Sequence, residues 1–282
     1  MSKPIALQGA VVAITGGARG IGLAIAEAMT AAGARVSIGD VDLALAQKEA
    51  TRLRAHAAPL DVRKRDSFAA FLQSTAEALG PVDVLVNNAG IMPMGGFLDE
   101  DPALSDAQID INFRGVMIGM QSALPAMIRA GQGHIVNVAS LCGRFALPGA
   151  AVYCGTKFAV VGMTETVAAE FRDSGVNFTV IMPSAVRTEL ISGSGTASRG
   201  LPVVSPEDVA AAVVHAVKSP RLLVAVPGYM ETARIIYDIF PERLRDLGRR
   251  LIDDHRLLKK LDRAAHAGYD QRIAALATPK KT

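Results

Sequence analysis

The stretch AVYCGTKFAV, residues 151–160, places a phenol and an amine four residues apart among small and apolar side chains. On a helix, residues i and i+4 lie on one face, so the polar heads of Tyr153 and Lys157 can meet. A nearby cation can lower the pKa of a phenol from about 10 and prepare it for proton transfer. The same pair also fits an ordinary surface, with the lysine stem lying along apolar neighbours. The pair alone leaves both interpretations open.

The composition indicates a folded protein with a substantial core. Half of the 282 residues are hydrophobic and one fifth are charged, which argues against disorder. No apolar run reaches the roughly 18 residues that span a bilayer, and the N-terminal sequence lacks a signal-peptide pattern. The two cysteines and five histidines show no disulfide framework and no ligand spacing. We therefore expect a cytoplasmic protein with no metal site.

The positive charge is concentrated in the C-terminal part of the chain. Residues 229–282 contain 12 Lys and Arg against 8 Asp and Glu, whereas residues 1–228 contain 18 against 19. The main body therefore lacks the basic surface that nucleic-acid binding requires, and we expect no nucleic-acid partner.

Short runs rich in Val, Ile and Leu alternate with longer Ala-rich segments, which predicts βαβ units and a parallel, doubly wound sheet. The predicted strands occupy residues 11–15, 35–39, 56–61, 83–87, 134–140, 176–182 and 222–227. The predicted helices occupy residues 21–33, 43–55, 65–79, 103–130, 151–173 and 206–218. The last of these helices has Ser205 as its N-cap and Pro206 at its first position.

A glycine-rich turn, TGGARGIG, joins the first predicted strand to the first predicted helix. Its spacing G-x-x-x-G-x-G is provided by Gly16, Gly20 and Gly22. Such a turn lets the backbone approach a pyrophosphate closely, and the helix N-terminus offers N–H groups to the phosphates. The turn therefore predicts dinucleotide binding.

An acidic residue supports the same interpretation. Asp40 ends the second strand 18 residues after Gly22, near the offset of about 20 at which a carboxylate binds the adenosine ribose. A carboxylate there favours NAD over NADP, whereas Arg19 beside the turn can bind a 2′-phosphate and leaves NADP open. The alternative role for Asp40 is a helix N-cap or a turn. We expect NAD.

Several motifs occur in a fixed order: TGGARGIG, LDV, NNAG, INFRG, NVAS and YCGTK. Together they resemble the short-chain dehydrogenase/reductase family, in its short single-domain form, over about residues 8–228. The resemblance implies an α/β fold with a Rossmann-type, doubly wound, seven-stranded parallel sheet. It also implies hydride transfer between a nicotinamide and an alcohol or carbonyl. We expect an NAD-binding catalytic domain over residues 1–228 and a basic, amphipathic helical extension over residues 229–282.

The resemblance assigns catalytic roles to four residues. Tyr153 is the general acid/base, and Lys157, with the nicotinamide, lowers its pKa and also holds the nicotinamide ribose. Ser140 hydrogen-bonds the substrate oxygen, and Asn112 lies at a disruption in its helix and anchors a water that links Lys157 to solvent. Each has a structural alternative: a strand end for Ser140, a helix surface or cap for Asn112, and a solvated side chain for Lys157. Their order and combination favour catalysis.

The remaining site predictions concern the cofactor and the substrate. Asp61 and Val62 are assigned to the adenine, and NNAG either contacts the adenosine or braces the fourth strand. The full set of predicted cofactor contacts is Gly16, Arg19, Gly20, Ile21, Gly22, Asp40, Asp61, Val62, Asn88, Ala89, Gly90, Tyr153, Lys157, Pro183, Val186 and Thr188. Pro183 is followed by Ser184 where the family usually has glycine.

Loops at the C-terminal ends of the strands supply an apolar pocket in the predicted fold. The predicted substrate-binding residues are Ser140, Met92, Met94, Phe145, Leu147, Tyr153 and Leu190. Arg144 and Arg187 are the only cations there for an acidic substrate, and either can instead be surface. We expect a small apolar secondary alcohol or ketone, with residues 191–200 forming a lid.

The extension has three possible uses: packing on the catalytic domain or a second subunit, peripheral contact with an anionic membrane, or a partly disordered appendage. The family resemblance also implies a homodimer or homotetramer. The preferred function is an NAD-dependent oxidoreductase. The alternatives are an NADPH-dependent ketoreductase and a non-catalytic dinucleotide-binding sensor or scaffold.

Overall fold

The computed structural model describes residues 3–188, 202–241, 243 and 263–277. The strands are β1 (Val11–Thr15), β2 (Arg35–Asp40), β3 (His56–Pro59), β4 (Val84–Asn87), β5 (Gly133–Val138), β6 (Val176–Pro183), β7 (Ala185–Val186), β8 (Val203–Val204) and β9 (Leu223–Val226). The helices are α1 (Gly20–Ala31), α2 (Leu43–Leu53), α3 (Arg65–Leu79), α4 (Pro102–Ile109), α5 (Gly115–Ala130), α6 (Ala151–Glu170), α7 (Pro206–Lys218), α8 (Tyr229–Ile239) and α9 (Arg263–Ala277). A π-helical turn, Asp110–Arg114, joins α4 to α5, and a 3₁₀ turn, Leu141–Gly143, follows β5.

Seven strands form one parallel sheet in the order β3-β2-β1-β4-β5-β6-β9. The prediction of a seven-stranded, doubly wound parallel sheet is therefore confirmed. The strand order reverses between β1 and β4, which pair directly. In open α/β sheets, ligands bind in the crevice at the carboxyl ends of the strands beside such a reversal. This end of the sheet is where the predicted site residues have to converge.

Two hydrophobic cores lie against the sheet. One contains the buried faces of α1 and α7, including Ile25 and Val213. The other contains residues of α3, α5 and α6, including Phe68 and Phe71, both fully buried. Because both faces of the sheet are covered, its strands read as continuous apolar runs rather than alternating ones.

The predicted helix over residues 103–130 is divided in the structure. The π-helical turn interrupts it at residues 110–114, so α4 and α5 are separate elements. At α7 the prediction is confirmed in detail. Ser205 caps the helix, Pro206 occupies the first turn, and Asp208 completes a capping box with Ser205.

The C-terminal helix α9 packs against the helices on one face of the sheet. Tyr269 and Ile273 are 5% and 1% exposed and belong to the same core as α3 and α5. Of the three uses considered for the extension, packing on the catalytic domain is the one that α9 shows.

Candidate active site

Three predicted catalytic side chains meet at the carboxyl end of β5. Ser140 follows that strand and caps the 3₁₀ turn, its Oγ accepting from the backbone N–H of Cys142 at 3.1 Å. Tyr153 lies in the first turn of α6, close enough to Ser140 for the serine hydroxyl to lower its pKa. One turn later, Lys157 Nζ lies 5.6 Å from the centroid of the Tyr153 ring and donates to the Val138 carbonyl at 3.0 Å. The i, i+4 spacing thus places phenol and amine together as predicted.

Burial governs the proton affinity of both groups. Tyr153 is 7% exposed and Lys157 is 4% exposed. Burial, followed by the neighbouring Cys142, raises the pKa of Tyr153 above its usual value, while the hydrogen bond from Ser140 acts in the opposite direction. The groups of the protein therefore oppose the predicted lowering, because desolvation penalises the phenolate. Burial also lowers the pKa of Lys157 to about 8.

The perturbed lysine makes stability depend on pH. The pKa of Lys157 is about 8 in the fold, against an ordinary lysine value of 10.5. Between these values the unfolded chain binds more protons, so the free energy of unfolding should rise with pH by up to about 3 kcal/mol. We expect this rise in urea unfolding of the wild type between about pH 8 and pH 10, and a flatter profile for Lys157→Met, which keeps a straight apolar stem. Parallel profiles for the two proteins would contradict the buried-charge interpretation.

Asn112 lies in the π-helical turn and is fully buried. Its Oδ1 accepts from the Ile91 N–H at 2.8 Å, and its Nδ2 donates to the Ile91 carbonyl at 2.8 Å. A second contact runs from Nδ2 to Thr156 Oγ1 at 3.3 Å. A methyl group on Gly90 would lie 3.3 Å from Asn112 Oδ1 and 3.6 Å from Lys157 Nζ. Asn112 therefore holds the loop after β4 beside Lys157, and its water-anchoring role stays a prediction.

The glycine turn forms a cradle that a dinucleotide fits. Gly16 and Gly20 have φ values of +64° and +54°, which only glycine adopts readily. A Cβ on Gly22 would lie 2.1 Å from the Gly16 carbonyl oxygen and 2.6 Å from Asn88 Nδ2. No side chain caps α1, and its first turn, which includes Ile21, has no acidic residue. The helix N-terminus is thus open to phosphates.

Asn88 and Ala89 brace this turn from the end of β4. The Asn88 side chain donates to the carbonyls of Thr15 and Gly16 at 3.0 and 3.1 Å. The backbone N–H groups of Asn88 and Ala89 both donate to Thr15 Oγ1, at 3.0 and 3.1 Å. The side-chain contacts agree with the bracing interpretation of NNAG, while its adenosine contacts stay a prediction.

Asp40 is 8% exposed and lies at the end of β2, within reach of the glycine turn. Its Oδ2 accepts from the Ala18 N–H at 3.1 Å, and its Oδ1 accepts from the Asp42 N–H at 3.0 Å. The N-cap of α2 is Asp42 rather than Asp40. Asp42 also pairs with Arg19 at 2.5 Å. Arg19, predicted as a possible 2′-phosphate ligand, is therefore held by a carboxylate.

Asp61 lies in the turn after β3 and is bound by Arg63 through two contacts, at 2.8 and 2.9 Å. Burial raises the pKa of Asp61, but the hydrogen bonds from Arg63 more than offset it, so the carboxyl is held below its usual value. Val62 is buried, and a methyl group added to Gly115 would lie 2.8 Å from its Cγ2. The assignment of Asp61 and Val62 to the adenine stays a prediction.

The segment after β6 approaches the glycine turn from the other side of the crevice. The Pro183 carbonyl accepts from Ser140 Oγ at 3.4 Å, and Val186 is buried in β7. Thr188 Cγ2 would lie 3.8 Å from a methyl group on Gly20. The Ser184 hydroxyl is buried without a hydrogen-bond partner among the residues that the structure describes. The segment therefore spans from Ser140 to the predicted pyrophosphate turn.

The predicted pocket residues separate into two groups. Met92, Met94 and Leu147 pack with Tyr153 in one apolar cluster, together with Cys142, Ala150 and Cys154. Phe145 packs instead against the core beneath. Leu190 and the predicted lid over residues 191–200 lie outside the described residues. Arg144 pairs with Glu165 at 2.6 Å, and Arg187 is exposed. The surroundings of Tyr153 are thus mainly apolar.

The comparisons with known proteins decide the family. Residues 10–198 match the family described as short chain dehydrogenase. The chain belongs to the short-chain dehydrogenase family.

Similar curated proteins also bear the names of dehydrogenases or oxidoreductases. 2-(S)-Hydroxypropyl-CoM dehydrogenase 3 of Xanthobacter autotrophicus is 35% identical over 227 residues, covering 74% of this chain and 89% of that protein. Oxidoreductase UcpA of Escherichia coli K12 is 36% identical, with 77% and 83% covered. The crystal structure of gox2181 superposes with a TM-score of 0.73 at 28% identity, covering 79% of this chain and 96% of that one. This short-chain dehydrogenase is accordingly an oxidoreductase with a Rossmann-type fold.

Sequence reasoning missed several residues of this short-chain dehydrogenase. Asp42 follows β2 by two positions, and its acidic type so close to Asp40 is a sequence signal that could have indicated its pairing with Arg19. Thr15 and Thr156 are common residue types whose contacts cross between elements. No local sequence pattern indicates a role for Tyr269, because its hydroxyl accepts from the Met92 N–H across 177 residues. Only the folded chain brings these groups together.

Family members commonly act on small substrates and are oligomeric. The predicted homodimer or homotetramer and the cytoplasmic location stay predictions for this chain. Among the described residues, no helix is both long and apolar enough to pass through a bilayer.

Proposed function

We propose that this protein is an NAD-dependent dehydrogenase that interconverts an apolar secondary alcohol and its ketone, with Tyr153 as general acid/base. One observation carries the proposal. Ser140, Tyr153 and Lys157 converge at the carboxyl end of the parallel strands, the same end of the sheet that holds the glycine turn. A sensor or scaffold has no need for this arrangement. Burying the charge of Lys157 costs free energy of folding, and catalysis gives that buried cation a role.

The residues of the chain divide the work. When bound, NAD accepts the hydride from an alcohol, and NADH returns it to a ketone. The hydroxyls of Ser140 and Tyr153 lie close together and are positioned to hold the substrate oxygen between them. Tyr153 moves the proton at its Oη: burial keeps the phenol protonated, so it holds the proton that a ketone oxygen takes up. In the oxidation of an alcohol the same group has to act as the phenolate, which burial disfavours. The buried ammonium of Lys157 stabilises the phenolate that remains.

The acidic surroundings of the ribose position support NAD rather than NADP. A carboxylate has about four lone-pair sites, and the two backbone bonds that Asp40 accepts leave capacity for ribose hydroxyls. Its charge repels a 2′-phosphate. The guanidinium that kept NADP open, Arg19, is already paired with Asp42.

Replacing Asp40 tests the cofactor proposal. Asp40→Asn keeps the shape and one acceptor oxygen but removes the charge, so the ratio of kcat/KM with NADP to that with NAD should rise about tenfold or more. Steady-state kinetics with both cofactors measures the ratio. Asp42→Asn is the matched variant, which releases Arg19 and should shift the ratio in the same direction. An unchanged ratio in Asp40→Asn would remove the NAD assignment.

The apolar cluster around Tyr153 supports the substrate class. Met92, Met94 and Leu147 offer adaptable, uncharged walls. Two relatives named as dehydrogenases carry alcohols in their names, 2-(S)-hydroxypropyl-CoM and 2,5-dichloro-2,5-cyclohexadiene-1,4-diol. A panel of apolar secondary alcohols and ketones, followed through NADH absorbance, tests the assignment. Turnover supports it, whereas NADH binding without turnover of any member would favour the sensor or scaffold.

The proposals for partners rest on the exposed surface of α8. Tyr229, Ile236, Ile239 and the following Phe240 are exposed apolar side chains, between 46% and 77% accessible. Such a row is a surface for a second subunit or for peripheral contact with a membrane. We retain a homodimer or homotetramer as the proposed assembly and membrane contact as its alternative.

A further inference from the structure

The C-terminal helix α9 is bonded to both sides of the proposed site. It lies beyond residues 10–198, the part of the chain that matches the family. Near its middle, the Tyr269 hydroxyl accepts from the Met92 backbone N–H at 2.8 Å. Near its end, Arg63 Nη1 donates to the Leu276 carbonyl at 2.7 Å while the same guanidinium holds Asp61. The buried side chain of Ile273 fixes the helix between these two points.

The hydrogen bond to Tyr269 is made by the loop after β4, which places Met92 beside Tyr153. Residues 88–94 form no regular secondary structure, so the path of the loop depends on individual bonds. Asn112 takes both backbone groups of Ile91, and Tyr269 takes the N–H of Met92. The Met92 side chain then packs in one cluster with Tyr153. The phenol of Tyr269 is also near enough to Tyr153 to raise its pKa, after the larger effects of burial and Cys142.

We propose that Tyr269 is a positioning residue that holds the Met92 wall against Tyr153 and thereby limits the size of the alcohol that the site accepts. The inference rests on the proposed function, since it concerns the pocket of that reaction. Tyr269 acts through the backbone of Met92, because its hydroxyl accepts from that N–H while its ring belongs to the core that α3 and α5 share. A family resemblance does not reveal this role, since α9 follows the matched residues.

Tyr269→Phe removes the bond to the Met92 N–H and keeps the ring. The probes are 2-butanol and 2-octanol, each with NAD, and the readout is the ratio of their kcat/KM values. We expect the ratio to move toward 2-octanol by about fivefold or more, while kcat for 2-butanol and the Kd for NADH stay within about twofold. Hydrogen exchange of the Met92 amide should become faster in the same variant. Gly268→Ala, at an exposed position on the same helix, is the control and should change neither readout.

A double-mutant cycle with Met92→Ala tests whether the effect passes through Met92. If the effect passes through Met92, the double variant Tyr269→Phe/Met92→Ala should have the same ratio of kcat/KM values for the two alcohols as Met92→Ala alone. A ratio unchanged by Tyr269→Phe, or an effect that adds fully to that of Met92→Ala, would overturn the proposal. If the wild type oxidises 2-butanol normally in these outcomes, the proposed function survives them. If the wild type binds NADH but oxidises no alcohol, the proposed function and the selectivity role fall together.

Discussion

The Tyr153→Phe variant is expected to keep its fold and its affinity for NADH while its kcat falls by about 10²–10⁴-fold. The substitution removes only the hydroxyl, and the ring stays in the apolar cluster with Met92. Steady-state kinetics on an alcohol identified by the panel measures kcat. Fluorescence titration with NADH measures the retained affinity, so a loss of activity is separated from a loss of cofactor.

Tyr229→Phe provides the matched control for this prediction. Tyr229 is 64% exposed at the start of α8, so loss of its hydroxyl should leave kcat within about twofold of the wild type. A Tyr153→Phe enzyme that retains kcat within about tenfold would exclude the phenol as the proton-transfer group.

The second large effect is expected at the glycine turn. In Gly22→Ala the new methyl would lie 2.1 Å from the Gly16 carbonyl and 2.6 Å from Asn88 Nδ2, so the backbone of the turn has to move. Overpacking of this kind costs about 1–3 kcal/mol of stability. Because the same backbone forms the cradle, we expect NADH to bind at least about tenfold more weakly. Thermal unfolding and NADH titration measure the two effects.

Gly162→Ala is the control for the glycine turn. Gly162 is exposed on α6, and a methyl group there meets nothing within 4 Å. Replacing a helical glycine by alanine should stabilise the protein by about 0.5–1 kcal/mol and leave NADH binding unchanged. Unaltered NADH affinity in Gly22→Ala would show that the cradle does not hold the cofactor.

The sequence predicts the features of this protein that depend on local spacing. The seven strands, the Ser205 cap and the meeting of Tyr153 with Lys157 all follow from residues fewer than about five positions apart or from runs within one element. The π-helical turn was predicted only as a disruption at Asn112, implied by family resemblance. The extent of the π-helical turn could not be predicted from the apolar periodicity, because five residues of altered winding hardly change that pattern.

The features that were missed depend on depth and on distance along the chain. The raised pKa of Tyr153 reflects how far α6 buries the phenol, and no residue spacing reports that quantity. The pairing of Arg19 with Asp42 requires the glycine turn and the start of α2 to meet. Likewise, Phe145, predicted as a pocket wall from its position in a loop, is partly buried against the core below, and its place in the pocket stays a prediction.

The bond between Tyr269 and Met92 also has a consequence for the order in which the protein matures during synthesis. Domains begin to fold from the N-terminal side as the ribosome extends the chain. The sheet and its nucleotide cradle draw on residues that emerge early, whereas the amide of Met92 finds its acceptor only after another 177 positions have been translated. A nascent chain arrested before residue 269 should therefore hold the dinucleotide before its selectivity for alcohols is set.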